Sequence, residues 1–177
     1  MQEHRRGENV RRFFAGVTEF VFQTRLGVAD PPLTDYLSEM LTRFLRSENV
    51  YAVRDVRGSR LTQVADMLEE ATRRHGPAKR QLHRHIGDFT LFWTGLYPEV
   101  ADRMRQTSGK DQLLDYRDQG KRNYLIASTI EVEKEQAPSE VLERLSDCFE
   151  LCTYGLAEVR KTWEEEDGES ARPIIFE

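Results

Sequence analysis

Along most of the chain, apolar residues recur at intervals of three and four with charged residues between them. That is the period of a helix with one dry face. The stretch IGDFTLFWTGLYP over residues 86–98 departs from it, being apolar on nearly every side. A helix apolar all round is a buried one. It is predicted to run from about residue 77 to 97, entered at Gly76-Pro77 and ended by Gly95 and Pro98, since a proline disfavours helical geometry at the residue before it.

The other helices follow from the same spacing. Residues 8–26 carry Phe13, Val17, Phe20 and Val21 on one side, flanked by Phe14 and Phe22. Asp30-Pro31-Pro32 reads as a helix start, an acceptor side chain followed by prolines whose missing N–H is harmless there. The stripe behind it, Leu33, Tyr36, Leu37, Met40, Leu41, Phe44 and Leu45, is the cleanest in the chain. Residues 47–58 predict a connector with a short extended piece, and the Ser59 region a cap for a third helix through Leu61, Val64, Ala65, Leu68 and Ala71. After the buried fourth helix come a turn over 98–105, a fifth helix over about 110–135 with Leu113, Tyr116, Gly120, Tyr124 and Ala127 in a stripe, and a sixth beginning at Ser139. The sixth carries Val141, Leu145, Cys148, Cys152, Leu156, Val159 and Trp163. Joined by a short turn, the last two are expected to lie antiparallel.

The fold class expected is therefore all-α: a single-domain helical bundle of five or six main helices over residues 1–166, with the 77–97 helix at its centre. Residues 167–177 read as an acidic tail ending in Ile174, Ile175 and Phe176, suited to a groove on the domain or on a second copy.

Composition narrows the function classes. No apolar run in the 177 residues approaches the roughly 20 needed to cross a bilayer. Residues 1–12 mix charges of both signs without the apolar segment of a secretory signal, so a cytoplasmic location is expected. The two cysteines, Cys148 and Cys152, sit four apart on an apolar stripe and read as reduced core residues. Residues 1–87 carry a net +4 and residues 88–177 a net −9. An excess of +4 spread over half a chain is thin beside the dense basic stripe of a nucleic-acid binder, which leaves the arginines of the first half as a lesser alternative.

Candidate chemistry centres on Asp88, the one charge within the apolar run. An unpaired buried carboxylate costs several kcal/mol, so Asp88 must be paired or exposed, and Arg84 and His85 lie within helical reach. Gly120, a mid-helix glycine costing about 1 kcal/mol relative to alanine, suggests close approach of another backbone or of a ligand. A site between the fourth and fifth predicted helices, lined by His85, Asp88, Tyr97, Tyr116, Gly120 and Tyr124, would have the make-up of a small-molecule pocket. The same tyrosines serve equally as core residues with their hydroxyls at the rim. Metal chemistry has little support, because no Glu-x-x-His pair occurs and only His85, Asp88 and a cysteine suggest ligands. There is no Gly-x-Ser-x-Gly elbow, and Thr107-Ser108-Gly109-Lys110 lacks the glycine spacing of a phosphate loop.

Two segments carry a resemblance. Gly87-Asp88, Leu91-Phe92 and Gly95-Leu96-Tyr97-Pro98-Glu99, followed by Asp115-Tyr116, Gly120 and Tyr124, match a GD-x-x-L-[FY]-x-x-G-[FL]-[FY]-x-[DE] segment and a [DY]-Y-x-x-x-G-x-x-x-Y segment. In these about forty residues the chain resembles a group of uncharacterised bacterial all-helical proteins with no assigned activity. The resemblance implies that the two helices belong together and carries no catalytic role. The sequence thus points to a non-enzymatic binding or interaction protein, with a small-molecule ligand and a homo-oligomer as the partners to look for and no cofactor. A helical metal protein or enzyme using His85, Asp88 and a cysteine is the main alternative.

Overall fold

The computed structural model describes residues 2–107, 109–134 and 136–167, and the regular elements among them are helices. In chain order they are α1 (Gln2–Phe20), α2 (Pro31–Phe44), α3 (Ser47–Val50), α4 (Val64–Arg73), α5 (Gly76–Leu96), α6 (Pro98–Thr107), α7 (Tyr116–Thr129), α8 (Ser139–Asp147) and α9 (Phe149–Asp167). The chain is all-α, as its periodicity predicts. Among the described residues no helix is long and apolar enough to cross a membrane. The predicted apolar tail with Ile174, Ile175 and Phe176 lies outside the described residues.

Several boundaries differ from the sequence expectation, each for a local reason. The first helix begins earlier, at Gln2, and passes into one π-helical turn, Val21–Arg25. The connector after α2 is one helical turn, α3, followed by a single antiparallel bridge between Arg54 and Arg60. The start of α4 is not capped by Ser59. Asp111, far along the chain, accepts from the backbone N–H groups of both Val64 and Ala65 at 2.8 Å. Residues 98–107 form a helix rather than a turn, because the Tyr97 carbonyl accepts from Val100 and Ala101 and Pro98 stands at the first position, where no N–H is needed. The fifth predicted helix shrinks to α7, since Asp115 caps it by accepting from the N–H groups of Arg117 and Asp118. Leu113, placed on the apolar stripe by spacing, is instead 96% exposed. The sixth divides at Cys148, whose backbone leaves helical geometry between α8 and α9.

Helix α5 lies against α7 and α9, with α4 and α6 also touching it, while α1 packs on α2 and α9. Two of the glycines at these approaches lie where α5 and α7 meet. A Cβ at Gly87 would stand 2.6 Å from the ring of Tyr124, so only glycine lets α7 sit this close to α5. At Gly120 a Cβ would run into the ring of Phe149 and lie 2.6 Å from the Thr90 hydroxyl. The space at Gly120 is thus filled by a side chain of α9, and no room remains there for a ligand. Polar ties complete the packing: Asp30 accepts from the Leu33 N–H and from Arg144 of α8, and His83 of α5 donates through Nδ1 to Asn123 of α7 at 2.6 Å.

Candidate functional site

Asp88 is fully buried on α5, and four side chains from three helices converge on it. Its Oδ1 accepts from the hydroxyls of Tyr36 at 2.6 Å and Tyr124 at 2.7 Å. Its Oδ2 accepts from Nη2 of Arg43 at 2.9 Å and lies 3.8 Å from Nε of Arg84. That Nε in turn donates to the Tyr36 hydroxyl at 2.9 Å. The register of α2 makes this arrangement: Tyr36 and Arg43 are seven apart, two turns, and so share the face turned to α5. On α5, Arg84 and Asp88 are four apart and neighbours on adjoining turns.

The cluster is electrostatically settled. Burial alone would raise the Asp88 pKa, but Arg43, Arg84 and the two tyrosine hydroxyls outweigh it and hold the carboxyl below its ordinary value. Burial, followed by the charge of Asp88, pushes the hydroxyls of Tyr36 and Tyr124 well above theirs. At neutral pH the site therefore contains an ionised carboxylate, two neutral phenols and two guanidiniums. Neither the carboxylate nor the phenols are poised to exchange a proton, which general acid–base catalysis would require.

Above Asp88 opens a cleft of about 530 Å³ between α2 and α5, reached also by Arg11 of α1 and by Gln136 from the segment before α8. Arg43, Arg84 and His85 line it, with Thr42 and Gln81 as neutral polar walls. Arg11 pairs across the rim with Glu39 at 3.3 Å, both side chains well exposed. His85 donates from Nε2 to the Val50 carbonyl at 3.0 Å, which leaves Nδ1 as an acceptor. Burial lowers its pKa, with Asp88 opposing, so the ring is neutral. Arg84 is held at its base by Tyr36, with its guanidinium over that ring at 5.3 Å.

Of the residues singled out in the sequence, His85, Asp88 and Tyr124 are brought together. The others are not. Tyr97 packs on Phe92 and Trp93 under the guanidinium of Arg160, at 4.7 Å from the ring centre. Tyr116 donates to Asp111 at 2.7 Å in a second buried cluster. Gly120 faces Phe149 and Thr90. The cleft lies on the α2 side of α5. Tyr36 and Arg43 were not singled out, although a tyrosine within an apolar stripe needs a partner for its hydroxyl and an arginine two turns on shares its face.

No group of three or more histidine, cysteine or acidic side chains that could hold a metal occurs among the described residues. Both Asp88 oxygens are already engaged by tyrosine and arginine donors. Cys148 and Cys152 are free thiols whose sulfurs lie 3.8 Å apart where α8 meets α9, with Cys152 buried. Many first-half arginines are spent on acidic neighbours: Arg12 on Glu8, Arg25 on Glu158, Arg73 on Glu69, and Arg74 on Glu70. Comparison with protein-family models, with curated proteins and with solved structures finds no match to this chain.

Proposed function

We propose that this chain is a non-enzymatic binding protein whose ligand occupies the cleft over Asp88. The observation that carries this reading is two guanidiniums fixed by a buried carboxylate and a phenol at the edge of a 530 Å³ cleft, with donors left over. Each guanidinium has a single hydrogen bond of its own within the cluster, and the remaining N–H groups find no partner among the described residues. Pre-positioned donors beside a cleft of metabolite size are what a small-molecule site requires, and polar walls suit a polar ligand. We read the helices as one bundle with α5 at its centre, working in the cytoplasm. The two segments resembling the bacterial helical group fall on α5 with the start of α6 and on α7, and Gly87, Asp88 and Tyr124 form one contact unit between α5 and α7.

Native mass spectrometry of freshly purified protein tests the reading. The expected result is a stoichiometric bound mass of a few hundred daltons, absent from Thr42→Trp, which fills the cleft from its half-buried wall. The same bound mass on both proteins would place the ligand elsewhere. A bare mass, with no small molecule raising the melting temperature of the wild type, would overturn the reading. The charge-state series also reports whether the chain forms a homo-oligomer.

A further inference from the structure

We infer that the ligand is a small organic monoanion, a hydroxylated carboxylate gripped by Arg43 and Arg84 while one of its hydroxyls donates to Nδ1 of His85. The inference rests on the reading of the cleft as a binding site and goes on to say what the cleft accepts.

Charge is the first argument. Within the cleft the two guanidiniums are balanced by Asp88 alone, and Arg11 is balanced by Glu39. With His85 neutral, one positive charge is left over. A carboxylate matches it, whereas a phosphate monoester, with about two charges at neutral pH, brings an unbalanced negative charge next to Asp88. Geometry is the second. Guanidinium edges match a carboxylate with paired N–H donors, and these two edges are held in place before the ligand arrives: Arg43 by Asp88, Arg84 by the Tyr36 hydroxyl and ring. Holding them in advance reduces the ordering cost of binding.

His85 supplies the third argument. Its Nε2–H is committed to the Val50 carbonyl, so its free nitrogen only accepts. A bare carboxylate would place oxygen lone pairs against that acceptor. A hydroxyl on the ligand resolves this by donating, and the amide side chains of Gln81 and Gln136 can serve further hydroxyls.

The test is a titration with four probes of similar size: gluconate, glucitol, hexanoate and glucose 6-phosphate. They are a hydroxylated monoanion, its neutral counterpart, a monoanion without hydroxyls, and a hydroxylated dianion. Binding is followed through the side-chain N–H resonances of Arg43 and Arg84 on the intact wild-type protein. Gluconate should bind at least tenfold tighter than each of the other three, with the arginine resonances moving. Arg84→Gln should weaken gluconate at least tenfold and leave glucitol unchanged. If glucitol binds as tightly as gluconate, the anion assignment falls while the cleft remains a binding site. Tighter binding of glucose 6-phosphate overturns the monoanion, and equal binding of hexanoate overturns the role given to His85. If none of the four moves the arginine resonances the inference is overturned, whether or not native mass spectrometry finds another ligand. The four-probe comparison needs no variant, so it stands even if Arg84→Gln fails to fold.

Discussion

Among the described residues two aspartates are buried almost completely, Asp88 at 0% exposure and Asp111 at 1%, and each accepts from a tyrosine hydroxyl. They are satisfied in opposite ways. Asp111 takes its other two hydrogen bonds from backbone N–H groups, those of Val64 and Ala65, and so fastens the start of α4 to the turn before α7. Two of its three donors belong to the backbone, and the third is the hydroxyl of Tyr116. Asp88 takes no backbone donor among the contacts described. It is held by Tyr36, Tyr124 and Arg43, with Arg84 close by, and the two arginines continue past it into the cleft. A carboxylate satisfied by backbone closes a fold, whereas one satisfied by long cationic side chains leaves those side chains both fixed and unfinished. The second condition is what the proposed binding site rests on, and burial alone does not separate the two.

Deleting each carboxylate should break the comparison most visibly. Asp88→Ala leaves two buried phenols and a guanidinium at the cleft floor without their acceptor, and should destabilise the fold by about 3–5 kcal/mol. Adding Arg84→Met to that variant should recover part of the loss, since it removes a charge left uncompensated. Urea denaturation measures both, and equal stabilities for single and double variants would show that Arg84 is indifferent to Asp88. Asp111→Ala removes a helix cap and a phenol partner, a loss of about 2 kcal/mol. It should leave binding at the cleft intact, and hydrogen exchange should quicken first at Val64 and Ala65.

The tyrosines sharpen the same contrast at smaller cost. Tyr116→Phe and Tyr36→Phe each remove one hydroxyl from a buried carboxylate, about 1 kcal/mol apiece. Only Tyr36 also holds Nε of Arg84, so only Tyr36→Phe should weaken ligand binding. Equal binding by the two variants would mean that Arg84 needs no phenol to hold it.

Much of this was legible in the sequence, and the missing part has a single character. The period of three and four gave most of the helices, Asp30-Pro31-Pro32 gave the start of α2, and the all-round apolarity of residues 86–98 predicted the burial found over 86–97, where only Thr94 is half-buried. Asp88 was expected to be paired or exposed, and it is paired, with Arg43. What failed were contacts between residues distant in the chain. The cap on α4 comes from Asp111, 47 residues on, and no local signal in Ser59 could reveal it. The filling of Gly120 by Phe149 depends on how α9 crosses α7. The pairing of α2 with the Asp88 face of α5 placed Arg43 in the site, where spacing along α5 alone pointed to α7. Local periodicity says which face of a helix is dry, and only packing says which other helix dries it.

The smallest effect separates the clusters by titration. His85 lines the cleft beside Asp88, and no histidine is among the partners described for Asp111. Burial holds the folded-state pKa of His85 below the ordinary 6.5, and does the same to His83 on the same helix. A base depressed in this way stabilises the fold above its unfolded pKa, and that stability is lost as the pH falls through the folded value. Asp88, depressed from the ordinary carboxylate value, loses its contribution only in stronger acid. Thermal stability should therefore decline below about pH 6.5, before the carboxylates titrate. His85→Gln, which keeps a donor for the Val50 carbonyl, should remove part of that decline and leave the part due to His83. Asp111→Ala should leave the decline unchanged, because its partners are two backbone N–H groups and a tyrosine, with no histidine among them. A decline that survives in His85→Gln and vanishes in Asp111→Ala would reverse the assignment and make the closed cluster the pH-sensitive one.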